Sequence, residues 1–221
     1  MDDDQRGPDA EGGGARTVPA PGEHDQPGPD AEGGGARTVP APMEHAGLVS
    51  GLDGGGALSA QTLALAAGVV ADAAARAAPG WDGAAGARAQ GHALARRALA
   101  LGVANEKAYR GARAALAGDL PNAPTATRDH VLGDIVQRAA HAPLELARAA
   151  ADTAVLAAHV AGHAPGQAAA DATAAAAIAT GVARAAAHLV AVNLATRSGD
   201  AMLADARLEV RRASAALPDG V

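Results

Sequence analysis

Alanine, the strongest helix former, makes up 67 of the 221 residues of this chain, most of them after residue 56. Val and Ile are few, and no segment alternates apolar and polar residues with period two, so a sheet is excluded as the main architecture. Glycine and proline divide the remainder into five helical segments. The first is expected over Ala57–Ala78, between the glycines at 54–56 and the breaker pair Pro79-Gly80. Its apolar side reads Leu58, Leu65 and Val69 at helical spacing. The second is expected over Asp82–Ala117, with Asp82 as N-cap, Gly118 as stop and Leu94, Leu101 and Ala108 marking its apolar side.

The third segment, Thr125–Gly162, carries the cleanest stripe: Leu132, Ile135, Ala139, Ala142, Leu146, Ala149, Thr153, Leu156 and Val160. Pro143 falls inside it and predicts a kink. The fourth, Pro165–Thr196, opens on a proline suited to a first turn. The fifth, Asp200–Ala216, aligns Leu203, Val210 and Leu217. Long helices joined by short loops predict an all-α antiparallel bundle of about five helices. Each buried alanine contributes little apolar area, so such a core is marginal alone and a homodimer is expected.

Residues 1–45 differ in kind. The segment 7–24 is repeated at 28–45, 21 residues on, with Gly22 in one copy and Met43 in the other. Gly, Pro and acids dominate, with almost nothing to bury, which predicts a disordered tail ahead of a helical body at 46–221. The tail carries ten acids and three arginines, while the body, with fourteen acids and fifteen bases, is close to neutral. A neutral body with one Trp, one Tyr and no Phe lacks the basic face and stacking aromatics of a nucleic-acid binder. The absence of cysteine excludes disulfides, a thiolate nucleophile and Cys-ligated zinc. The acidic start has no apolar run of the secretory type. In the most apolar helix the longest uncharged stretch, Ala172–Ala183, is well short of the ~20 residues a bilayer needs. No membrane partner and a cytoplasmic location are therefore expected.

Asp171 stands out because it interrupts that apolar helix. Asp171, Ile178, Val182, Leu189 and Asn193 fall near one direction at 100° per residue, so one stripe carries a carboxylate at one end and an amide at the other. At 1.5 Å per residue the two lie ~33 Å apart, and only antiparallel packing against a second copy brings such ends together. A solvated or capping Asp is the competing reading. His159 and His163, at i,i+4 near a helix end, are a pair that can bind a metal, but no carboxylate or third ligand stands at a telling spacing, and placement of the imidazoles against a helix C-terminus is the favoured reading. Gly54–Gly56 ahead of a helix can offer N–H groups to an anion. Asp53 beside them would repel it, which favours a tight turn or close helix approach.

In order and register, the marks D-G-G-G-A at Asp53–Ala57, N-E-K-A-Y at Asn105–Tyr109, A-P-L-E at Ala142–Glu145, A-D-A-T at Ala170–Thr173 and L-V-A-V-N-L at Leu189–Leu194 resemble the cyclodeaminase/cyclohydrolase family. That family includes the cyclodeaminase part of formiminotransferase-cyclodeaminase and stand-alone methenyltetrahydrofolate cyclohydrolases. The resemblance spans about residues 50–215. It implies an all-helical, metal-free dimer without a prosthetic group, acting as hydrolase or lyase on an amidine or iminium C–N centre of a tetrahydrofolate derivative near the subunit interface. It further implies Asp171 as the catalytic carboxylate, and Gly54, Gly55, Gly56, Asn105 and Asn193 as substrate-binding residues. The chain departs from the pattern at Asp53, Ala57, Asn105, Leu189 and Ala191, where the family has proline, serine, an acid, an amide and often a basic residue. Two other readings stand beside it: a repurposed enzyme of specialised metabolism that cyclises or hydrolyses a non-folate imine, and a non-catalytic helical dimerisation module.

Overall fold

The structure is a computed structural model that describes residues 54–77, 80–118, 124–195 and 200–217; the expected tail at 1–45 lies outside them. Five helices follow one another: α1 (Gly55–Ala75), α2 (Ala84–Ala117), α3 (Thr125–Ala161), α4 (Gly166–Asn193) and α5 (Ala201–Ser214). No strand occurs among the described residues, so the all-α bundle read from the sequence is the fold. Neighbouring helices run antiparallel: Gly55 of α1 approaches Leu189 late in α4, while Arg76, which caps the far end of α1, meets Asp171 early in α4.

Helix limits differ from expectation where backbone groups outrank side chains. α1 starts two residues early because Gly54, at φ 93°, serves as N-cap and its two glycine neighbours join the first turn. α2 starts at Ala84 with Gly83, not Asp82, at the N-cap and without a side-chain cap. Pro165 is the N-cap of α4 rather than its first helical residue. Asp200 does cap α5, accepting from the Met202 N–H at 2.8 Å. α3 continues through Pro143 as one helix.

The core is built of alanine with a few larger side chains, of which Leu63, Leu146, Leu194, Val70, Val160 and Val190 are fully buried. Close axes make this possible. A Cβ on Gly91 of α2 would lie 3.0 Å from the Ala67 carbonyl oxygen and from Ala71 of α1, tighter than carbon contacts prefer. The Thr180 hydroxyl of α4 shares its proton between Ala176 O of its own helix at 2.9 Å and Ala213 O of α5 at 3.1 Å, and the second contact ties α4 to α5. The stripe read for α3 is buried from Leu146 to Val160. The stripe read for α1 is not: Leu58, Leu65 and Val69 are 52%, 74% and 39% exposed, and Ile178 of α4 is 47% exposed. The buried side of α1 instead carries Leu63, Ala66, Ala67, Val70 and Ala74, because small side chains let α2, α3 and α4 approach there. By length and mean hydropathy α1 and α4 are apolar enough to cross a bilayer; in this fold about half of each apolar stretch is buried against neighbouring helices.

Candidate functional site

The cavity that gathers the sequence marks arises from unequal helix lengths. α1 begins and α4 ends at one level of the bundle, against α2 and α3, which at 34 and 37 residues run on past it. The step encloses about 270 Å³, lined by Gly54–Gly56, Asn105 and Tyr109 of α2, Ala139 and Pro143 of α3, and Leu189, Val192 and Asn193 of α4. Five of the six expected site residues, Gly54, Gly55, Gly56, Asn105 and Asn193, thus meet in one place. Tyr109, Pro143, Leu189 and Val192 join them; each lies inside a quoted motif, and helical phase was the available signal.

Two glycines have separate reasons. Gly54 adopts a left-handed φ of 93° with open space where a Cβ would stand, so conformation demands glycine there. Gly56 is helical, but a Cβ on it would overlap Asn105 Nδ2 and lie 2.6 Å from its Cγ. Space demands glycine there, and the amide it admits is a cavity wall.

Asn193 is held by a backbone defect. Pro143 has no N–H, so the carbonyl four residues earlier, that of Ala139, loses its helical donor. Asn193 Nδ2 donates to that oxygen at 3.1 Å. The proline in α3 and the asparagine in α4 are one unit, and it ties the two helices together at the cavity.

Helix ends supply the electrostatics. α1 has no side-chain cap and no acid in its first turn, and its first internal bond is from the Leu58 N–H to Gly54 O at 3.4 Å. Its N-terminus therefore brings partial positive charge to the cavity, and the C-terminal carbonyls of α4, with no basic residue in the last turn, bring partial negative charge. No carboxylate lines the cavity among the described residues.

Asp171 lies elsewhere. Twenty-two residues back along α4, ~33 Å from Asn193, it borders a groove of about 490 Å³ between α1 and α4 that includes Leu65, Val69, Asp72, Arg76 and Ile178. Its Oδ1 accepts from Gln167 Nε2 at 2.8 Å and its Oδ2 from Arg76 Nη2 at 2.9 Å. These bonds, Gln167's first and then Arg76's, hold its carboxyl below the usual range. At neutral pH the group is an ion-paired anion, not a proton donor.

The glutamate of A-P-L-E also has a fixed place. Glu145 is bonded by Arg97 of α2 at 2.7 Å and Arg148 at 2.6 Å. Arg148 also bonds Asp205 of α5 at 2.8 Å, and Asp152 bridges Arg97 at 3.5 Å and Arg212 of α5 at 2.7 Å. This network crosses three helices. Burial alone would raise the Glu145 pKa, but the hydrogen bonds from Arg148 and Arg97 outweigh it and hold the carboxyl below 4.5. His159 and His163 meet each other and Trp81, and no group of three or more potential metal ligands gathers among the described residues.

The chain is similar to the crystal structure of formiminotetrahydrofolate cyclodeaminase from Thermotoga maritima, with a TM-score of 0.63 over 80% of this chain and 89% of that one, at 17% identity. The likeness is one of fold. It supports a distant relationship and a cyclodeaminase-like bundle. No family model and no curated protein matches the chain.

Proposed function

We propose that this chain is a cyclodeaminase- or cyclohydrolase-type enzyme acting on an amidine or iminium C–N centre, with the substrate's reacting carbon in the cavity at Gly54–Gly56, Asn105 and Asn193. The observation that carries this reading is the convergence there of residues from four helices that the sequence scatters over 140 positions, in a fold like that of a protein named for cyclodeaminase activity. The chemistry is consistent. A cationic N–C–N carbon is favoured beside the α4 carbonyl end, and the α1 N–H groups suit an oxygen that gains negative charge as water adds. Asn105 and Asn193 are neutral groups that orient substrate or water without competing for protons.

In this reading Asp171 reaches the cavity only in a homodimer. If α4 packs antiparallel on α4 of a second copy through the exposed face of Leu65, Val69 and Ile178, the Asp171 end of one copy lies against the Asn193 end of the other. The substrate class is a tetrahydrofolate derivative in its methenyl or formimino form. A second reading, a smaller non-folate imine, is favoured by the volume of about 270 Å³, below the ~300–1,000 Å³ of most ligand pockets, and by Leu189 and Val192 in the wall. The test is turnover by the purified full chain of methenyltetrahydrofolate (loss of absorbance) or of the formimino form (ammonia release), with Asn105→Ala, Asn193→Ala and Asp171→Asn as comparisons. Loss in all three supports the folate reading with its dimeric site. No turnover and no folate binding by calorimetry sinks it in favour of the smaller substrate.

A further inference from the structure

We propose that His159 and His163 chelate an exchangeable divalent transition-metal ion of the copper, nickel and zinc class, at the opposite end of α3 from its Thr125 start. The two imidazoles are exposed, one turn apart, with ring centres 4.7 Å from each other and planes inclined by 57°. A metal–nitrogen bond of about 2.0–2.1 Å places each ring centre about 3.2 Å from the ion. Two centres 4.7 Å apart then subtend about 95° at a shared ion, between the square-planar and tetrahedral values that copper and zinc adopt.

Three further features separate this pair from two histidines that merely share a helix face. The Nδ1 of His163 lies 2.9 Å from His159 O. A carbonyl only accepts, so Nδ1 carries the proton and Nε2 presents a lone pair, the arrangement in which metal-bound histidines are oriented by a backbone partner. Trp81, in the turn before α2, stacks on His163 with centres 4.5 Å apart and planes 12° from parallel, and meets the edge of His159 at 5.5 Å. Both rings are thus fixed before an ion arrives, which lowers the ordering cost of binding. His159 also stands in the last turn of α3, where the helix dipole favours a cation. Two protein ligands leave the remaining positions to water or a small ligand, so the site is open and exchanging rather than a structural zinc centre.

Trp81 is the chain's single tryptophan and reports directly. Full-length protein is titrated with Cu²⁺, Ni²⁺ and Co²⁺ while its fluorescence is followed, alongside His159→Ala, His163→Ala and, as an exposed histidine elsewhere on the bundle, His92→Ala. Wild type and His92→Ala are expected to be quenched saturably, with affinity falling in that metal order. Each of the other two variants should bind at least about tenfold more weakly, and the Cu²⁺ electron paramagnetic resonance spectrum should show two imidazole nitrogens in wild type and one in each. Superimposable titrations for wild type and His159→Ala, or fewer than two coordinated imidazoles in wild type, overturn the proposal.

Discussion

Replacing Gly56 by alanine separates stability from function at the cavity. The new Cβ would overlap Asn105 Nδ2 and stand 2.6 Å from its Cγ, where ordinary contact requires about 3.5 Å, so the amide must move by roughly 0.9 Å or turn out of the wall. That movement involves a side chain, not the backbone, and the helix gains ~0.5–1 kcal/mol from losing a glycine. The displaced Asn105 contacts offset a similar amount, so the net change in unfolding free energy is expected within about 1 kcal/mol. For a domain of this size the melting temperature then moves by no more than ~2–4 °C. Function should respond far more: an amide lost from the site costs ~1–3 kcal/mol of ligand or transition-state binding, roughly five- to 150-fold. Thermal unfolding by circular dichroism and the ¹⁵N side-chain amide signal of Asn105 are measured alongside turnover, the NMR signal being independent of substrate identity. Gly54→Ala is the contrast, because its φ of 93° costs a non-glycine residue ~1–2 kcal/mol of strain. An unchanged Asn105 resonance in Gly56→Ala, or a destabilisation above about 2 kcal/mol, would refute the assignment of Gly56 as a spacer for that amide.

Further expectations concern the rest of the fold. Asn193→Ala should cost ~1–3 kcal/mol by leaving Ala139 O without its donor. Pro143→Ala in the same chain should recover much of this, since the restored N–H reaches that carbonyl; chemical denaturation of the double-mutant cycle reads the coupling, and additive effects would contradict it. Glu145 titrates below its usual value of 4.5 in the folded state. Its contribution is therefore complete above that pH and lost as pH falls through the depressed value. Glu145→Gln should flatten the acid limb of the stability–pH curve, by no more than about 1 kcal/mol because over a third of the side chain faces water. Leu65→Glu alters a residue that is 74% exposed, so it should leave the melting of a lone bundle nearly unchanged. In the proposed dimer it should halve the mass seen by light scattering; an unchanged dimeric mass would place the interface on another face.

How far the sequence reaches can be judged helix by helix. Alanine content and Gly/Pro spacing determine five helices and an antiparallel bundle, because propensity and chain breaks are local properties. α3, whose stripe mixes Leu, Ile and Val with alanine, showed which of its sides is buried. α1 and α4 did not: in an alanine-rich helix every side is nearly equally apolar, so hydrophobic spacing pointed to Leu58, Leu65 and Val69, while close axis approach selected the alanine side. Local motifs identified Gly54–Gly56, Asn105 and Asn193 one at a time, and only the common level at which α1 starts and α4 stops assembled them into a cavity. That same geometry set Asp171 beside Arg76 at the far end of the bundle. Whether two groups on one straight helix share a site depends on distance along its axis and on what packs across it, and tertiary contacts decide that where residue type alone does not.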